Sequence, residues 1–125
     1  MTLIDELGIQ HFEVLEGKFR AEMALSSWHA QPQGYLNGGA TLAFAEVAAG
    51  MASHELLGEG EFAVGQAISA VHVNPMKAEG VLIAEGELLK AGKRSQTWDI
   101  RMKNEAGTVI SKITVTNAIV RRDHA

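Results

Sequence analysis

One segment of the chain constrains the fold more than any other. Residues 38 to about 57 are rich in Ala, Leu, Met and Glu, which favour helix, and Asn37 before them is a good N-terminal cap. Between Ala40 and Ser53 the only charged side chain is Glu46. This helix is therefore apolar on nearly every face, and such a helix is buried on most of its faces. We expect the rest of the chain to wrap around it.

The remaining sequence predicts mostly β-strands. Apolar and polar residues alternate over 18–25, the pattern of a half-buried strand, and a strand over 11–16 precedes it. Four longer strands are predicted over 64–73, 81–89, 95–103 and 109–120. Short connections between consecutive strands favour antiparallel pairing. With a short helix over 2–7 capped by Thr2 and a loop over 26–37, the chain predicts an α+β fold, one long buried helix on an antiparallel sheet of five or six strands.

Composition limits the classes of function. A chain of 125 residues forms one domain, 1–125. A net charge of −4 gives no electrostatic footprint for nucleic acid, and the absence of cysteine excludes disulfides and thiolate nucleophiles. No uncharged apolar stretch reaches the roughly 18 residues that a membrane span needs, and the start has no secretory pattern. We expect a cytoplasmic protein with no nucleic-acid or membrane partner.

Glu46 is the first candidate for a chemical role. A carboxylate on a largely buried helix is unfavourable unless it is paired, and carboxylates in such places often have shifted pKa values and functional roles. The alternative is that Glu46 lies on the one solvent-exposed stripe of the helix. Spacing alone does not decide between the two.

The Gly38-Gly39 pair at the start of the helix is the second candidate. Free backbone N–H groups and the helix dipole favour developing negative charge there, as an oxyanion hole requires, although a glycine pair also suits tight packing or a turn. Glu46 follows about 12 Å along the helix axis, so one acyl group reaches both only by a bent approach or from a second chain. In the preceding loop, Gln31 and Asn37 could orient a carbonyl or water and His29 could act as a base, or all three are solvated.

Other motifs are weaker. Lys93, Arg94 and Ser95 belong to the most basic turn of the chain, which could bind phosphate groups or simply be solvated. Neither a dinucleotide-binding motif nor a nucleophile elbow is present, and we expect no metal and no cofactor. No metal-ligand spacing is found among the histidines at the remaining positions, His11, His54, His72 and His124.

Residues 31–50, QPQGYLNGGATLAFAEVAAG, resemble the signature of the hotdog-fold acyl-CoA thioesterases. In that family a Gly-Gly pair begins a long central helix and an acidic residue follows after six positions. The chain is most similar to the PaaI-type group with Glu at the acidic position, which includes aromatic acyl-CoA thioesterases and the proofreading and menaquinone-pathway enzymes. The order of elements is also similar over nearly the whole chain. The resemblance implies hydrolysis of an aromatic or medium-chain acyl-CoA to a free acid and coenzyme A.

The resemblance also implies a role for individual residues. Glu46 would be the nucleophile or general base, the backbone N–H of Gly38 or Gly39 would polarise the thioester carbonyl, and Gln31 would position the carbonyl or water. The residues implied to bind coenzyme A are His72, Asn74, Lys93, Arg94 and Ser95. Sites in this family lie between two protomers, so the resemblance implies a homodimer or homotetramer.

Two positions depart from the family pattern. Asn37 stands where the family usually has His, and Gly50 stands where Glu-bearing members often have Ser or Thr. These departures leave a non-catalytic acyl-CoA-binding protein as an alternative. A hydratase or dehydratase of the same fold is a third possibility, but its acid is typically paired with His in a different motif. The presence of Glu46 favours the thioesterase.

Overall fold

The long helix begins where the sequence predicts and ends three residues earlier. The computed structural model describes residues 2–122, so His124 lies outside it. Thr2 caps the first helix through a hydrogen bond from the Asp5 N–H, and a 3-10 turn interrupts the loop before the long helix. The elements are α1 (Leu3–Leu7), β1 (Ile9–Leu15), β2 (Lys18–Ala24), α2 (Gly38–His54), β3 (Glu61–His72), β4 (Val81–Ala91), β5 (Ser95–Lys103) and β6 (Val109–Arg121).

All six strands form one antiparallel sheet in the order β1-β2-β4-β5-β6-β3. The predicted α+β fold is confirmed, but the expectation that every pair of consecutive strands is adjacent is wrong for β3 and β4, because within residues 2–122 strand β3 pairs with β6 alone. The eight residues of 73–80 can extend over roughly 26 Å. In the sheet β3 and β4 are three strand spacings apart, a distance of only roughly 14 Å. The connection of 73–80 is therefore long enough to cross the end of the sheet between them.

One face of α2 packs on the sheet. Its buried residues lie against sheet side chains that include Trp98, whose Nε1 donates a hydrogen bond to Ser53 Oγ at 2.8 Å. The prediction that α2 is buried on most faces is wrong for the single chain: Glu46 is exposed, and Val47 and Met51 are only half-buried. A single sheet covers one side of a helix and leaves the other side open. The buried helix residues are Thr41, Phe44, Ala45, Ala48, Ala49, Ala52 and Ser53.

The two edges of the sheet differ. Strand β1 carries a bulge after Gln10, with His11 at a φ of 52°, and such irregularities protect an edge from pairing with another chain. Strand β3 is 12 residues long, is exposed throughout 64–69 and has no charged side chain over 62–71. Although the pairing of β3 with β6 also shifts register between Gly65 and Ala67, β3 is the longer, uncharged edge and is therefore the better suited to further pairing.

Candidate active site

Two cavities lie along α2, and they place Glu46 apart from the predicted site residues at the start of the helix. The first, of about 870 Å³, surrounds Glu46 and has mostly apolar walls. The second, of about 320 Å³, lies at the start of α2 and contains Gln31, Gly38, His72 and Asn74. The first cavity is lined by Ile4, Phe12, Val14, Glu46, Val47, Gly50, Met51, His54, Glu55, Ala63, Gly65 and Asn117.

Glu46 lies on the solvent-exposed side of α2. Of the two positions considered from the sequence, the exposed stripe is therefore correct for the single chain, and a buried, paired carboxylate is not. Its side chain lies against the bare backbone of β3: a Cβ atom at Gly65 would be 2.9 Å from the Glu46 Cδ. No residue within 2–122 donates a hydrogen bond to the Glu46 carboxylate or pairs with it. The carboxylate is therefore accessible from the cavity.

The start of α2 is capped as predicted. Asn37 Oδ1 accepts a hydrogen bond from the Gly39 N–H at 2.7 Å, and the Asn37 carbonyl accepts from the Ala40 N–H at 3.0 Å. The Gly38 N–H has no partner among residues 2–122. Of the two glycine N–H groups, only that of Gly38 is free to bind a ligand oxygen.

His72 closes the second cavity against the helix. A Cβ atom at Gly38 would lie 2.7 Å from His72 Nε2, so the imidazole fits only because residue 38 has no side chain. His72 Nδ1 lies 2.7 Å from Ser111 Oγ on the neighbouring strand, which fixes the ring. Asn74 Nδ2 donates to the Val109 carbonyl at 2.8 Å, so this amide holds the end of β3 to β6.

Comparison with known proteins identifies the family. The family model described as "Thioesterase superfamily" matches residues 33–111.

The chain belongs to the thioesterase superfamily.

Relatives agree with this assignment. The proofreading thioesterase EntH of Klebsiella pneumoniae is 35% identical over 85% of this chain and 77% of its own. The 1,4-dihydroxy-2-naphthoyl-CoA hydrolase of Listeria monocytogenes is 29% identical over 98% of both chains. The crystal structure of yhdA from Lactococcus lactis is 50% identical and covers 98% of this chain and 100% of its own, with a TM-score of 0.94. The hotdog fold and thioester hydrolysis expected from the sequence are confirmed.

One candidate, His29, lies elsewhere in the thioesterase. His29 is buried, with Nε2 at 2.7 Å from the Leu7 carbonyl and Nδ1 accepting from the Ser26 N–H at 3.0 Å. It holds α1 to the loop and lines neither cavity, so the expectation of a solvated histidine or a base is wrong.

In the described part of the thioesterase, no helix has the length and apolar character needed to cross a membrane.

The basic turn is distant from the other residues predicted to bind coenzyme A. Ser95 pairs with Ala118, whereas His72 pairs with Ser111. Seven residues of β6 separate the two positions, a distance of about 23 Å along the sheet. Lys93 and Arg94 are exposed and precede Ser95. One chain of the thioesterase does not bring the five residues together.

Sequence reasoning missed two residues of the site, Gly65 and Ser111. Ser111 has no local signal, because only the pairing of β3 with β6 places it beside His72. Gly65 did have a signal: it is a glycine inside an alternating strand and away from a turn, where a glycine often marks the close approach of another group.

Proposed function

We propose that this thioesterase hydrolyses an aromatic or medium-chain acyl-CoA at a site shared between two copies of the chain. The observation that carries the proposal is the division of the site: Glu46 and Gly38 lie in separate cavities. Eight residues of helix separate them by about 12 Å, which is too far for one thioester group to contact both in a single chain.

The β3 edge supports the shared site. Antiparallel pairing of two copies of β3 about a two-fold axis between Ile68 and Ser69 would place Gly65 of one copy opposite His72 of the other. Gly65 lies beside Glu46 and His72 lies beside Gly38. The same pairing would extend the sheet through its long, uncharged β3 edge. We therefore infer a homodimer, or a homotetramer built from two such dimers.

The chemistry follows from the two halves. The Gly38 N–H, at the positive end of the helix dipole, polarises the thioester carbonyl and stabilises the oxyanion. Glu46 of the other copy attacks the carbonyl carbon or takes a proton from the attacking water. The C–S bond breaks, and coenzyme A leaves as the thiol once its sulfur takes up a proton from water. Where Glu46 is the base, the attacking water adds directly and the acyl group leaves as the free acid. Where Glu46 is the nucleophile, water then hydrolyses the mixed anhydride between Glu46 and the acyl group, which releases the free acid and restores the carboxylate. Gln31 lines the Gly38 cavity, and we assign it to the orientation of the carbonyl or water.

Residues at both ends of the sheet are assigned to coenzyme A. His72 and Asn74 lie at the mouth of the Gly38 cavity, where the thioester end would enter. Lys93 and Arg94 are exposed, and with the half-buried Ser95 at the start of β5 they form a basic corner suited to the nucleotide phosphates. The name of the Listeria relative, a CoA thioester hydrolase, supports this substrate class. Asn37 acts indirectly, by capping the helix that carries Gly38.

Glu46→Gln tests the proposal. The amide is nearly isosteric but is neither a nucleophile nor a base, so we expect kcat for acyl-CoA to fall by about 10²–10⁴-fold. The melting temperature is expected to be unchanged, because Glu46 forms no ion pair within residues 2–122. Coenzyme A binding is expected to be unchanged, because the carboxylate lies at the acyl end of the proposed site. A thiol-release assay over a panel of aromatic and aliphatic acyl-CoAs measures the change.

The matched control is Glu59→Gln. Glu59 is an exposed carboxylate in the loop after α2 and lines neither cavity, so this variant is expected to keep the parent kcat. If Glu46→Gln is folded and turns over acyl-CoA within about threefold of the parent, Glu46 has no part in the mechanism.

A further inference from the structure

Strand β3 carries a glycine whose presence its backbone does not explain. Gly65 does not have a φ in the left-handed region, unlike the turn glycines Gly17 and Gly107. It lies inside a 12-residue strand, where glycine weakens pairing and provides no side chain for packing. A residue with a side chain could adopt this backbone, so the reason for glycine lies in the space beside it.

That space is occupied by Glu46. A Cβ atom at position 65 would lie 2.9 Å from the Glu46 Cδ, 3.0 Å from its Oε1 and 3.2 Å from its Cγ. The whole end of the Glu46 side chain therefore packs on the bare β3 backbone. Because no residue within 2–122 donates a hydrogen bond to this carboxylate, its position in the single chain depends on packing, and the contact with Gly65 involves its Cγ, Cδ and Oε1.

The local irregularity of β3 lies at the same place. The β3–β6 register shifts between Gly65 and Ala67, which leaves Gln66 as an extra residue. Bulges next to active sites alter strand direction and re-aim neighbouring side chains. Gly65 is opposite Asn117, whose side chain is fully buried and donates to Ser53 Oγ of α2 at 2.9 Å. Asn117 thus fixes the distance between this part of the sheet and the helix.

We propose that Gly65 is a positioning residue for Glu46: its missing side chain leaves the space in which the carboxylate lies against β3 and is directed into the cavity. The inference rests on the proposed function, because it assumes that Glu46 carries the chemistry. A methyl group at position 65 would displace the carboxylate toward solvent by about one bond length. Misplacement of a catalytic group by about 1 Å can lower turnover by about 10²-fold.

The test begins with Gly65→Ala. We expect kcat to fall by about 10–10²-fold, with KM for acyl-CoA within about threefold of the parent, because the carboxylate is remote from the coenzyme A contacts. The melting temperature is expected to change little, since the displaced group is the end of a flexible, exposed side chain.

Gly86→Ala is the matched control. It adds the same methyl group to another strand glycine, but there the Cβ atom would clash with the Phe19 ring and not with Glu46. It is expected to lower the melting temperature, and activity only in proportion to the unfolded fraction. A purely structural role for Gly65 would give the same pattern as this control.

A double-variant cycle decides whether Gly65 acts through Glu46. Asp is one methylene shorter and withdraws from the added methyl group, so Glu46→Asp should lower kcat less in the Gly65→Ala background than in the parent. Additive losses, or a Gly65→Ala variant with kcat within threefold of the parent, overturn the inference. If neither Gly65→Ala nor the double variant folds, position 65 needs glycine for the backbone conformation of β3, and the inference is also overturned.

The failure of this inference can be distinguished from the failure of the proposed function. An active Glu46→Gln variant contradicts the proposed function itself, whereas an inactive Glu46→Gln with a fully active Gly65→Ala contradicts only this inference.

Discussion

At the scale of single residues, Asn37 is one of the two positions that depart from the pattern the sequence resembles, and the structure shows what this residue does instead. The amide cannot transfer a proton as histidine does, but its oxygen accepts the Gly39 N–H at 2.7 Å and caps α2. The same bond removes Gly39 from the groups available to a thioester oxygen. A position that resemblance associates with catalysis is used here to fix the helix that carries Gly38.

Substitutions at Asn37 are predicted to change stability first. Asn37→Ala and Asn37→His remove the cap and should lower the free energy of unfolding by about 1 kcal/mol, whereas Asn37→Ser keeps an oxygen acceptor and should retain most of it. Asn37→His is expected to retain turnover, because the Gly38 N–H is unchanged. Denaturant unfolding and thiol release measured on the same samples check both. Equal stability of the Ala and Ser variants would contradict the cap.

At the scale of elements, the turn between β4 and β5 lies far from the start of α2, where the proposed site places the reacting carbon. Lys93 and Arg94 precede Ser95, which pairs at the end of β6 remote from His72. Contacts that are equally strong in the bound substrate and in the transition state lower KM without raising kcat. If this turn binds the phosphates of coenzyme A, its contacts would lower KM and leave kcat unchanged.

Replacing both Lys93 and Arg94 by Ala is therefore predicted to raise KM for acyl-CoA by much more than it lowers kcat. Added salt should raise KM of the parent, because exposed charge pairs are screened, and should affect the double variant less. Lys18→Ala, at the start of β2, removes a similar exposed charge as a control. An unchanged KM in the double variant would show that the turn is only solvated.

At the scale of the whole molecule, the two edges of the sheet differ in how well they could pair with a second copy of the chain. The bulge at His11 protects β1, whereas β3 presents an uncharged, exposed edge over 64–69. The open face of α2, with Glu46 exposed, adjoins that edge. A second copy paired through β3 would cover both features and complete the divided site.

Mixing two inactive variants tests this assembly. Glu46→Gln disables one half of each site, and Gly38→Ala disables the other, because the added Cβ would lie 2.7 Å from His72 Nε2. In a two-fold dimer with shared sites, a mixed dimer has one site with both halves intact. Subunit exchange at equal concentrations should therefore restore about a quarter of the parent activity. If mass spectrometry of tagged subunits shows mixed dimers that remain inactive, each site lies within one chain.

Local patterns in the sequence determined where most helices and strands of this thioesterase lie and which family it belongs to. The alternation over 18–25, the Asn37 cap and the helix-forming residues that follow it predict elements whose observed bounds differ by a few residues, because hydrogen bonding, capping and side-chain period act over a few positions. The motif from Gln31 to Glu46 also indicated the family that the match over residues 33–111 confirmed.

Only the tertiary structure decided which residues from distant parts of the chain meet. The pairing of β3 with β6, and not with β4, places Ser111 beside His72 and exposes the β3 edge. The one-sided contact of α2 with the sheet leaves Glu46 exposed and brings Gly65 against it. Strand order and the covered face of a helix depend on how all elements pack together. No short stretch of sequence contains that information, because a periodic pattern predicts an element but does not specify its neighbour.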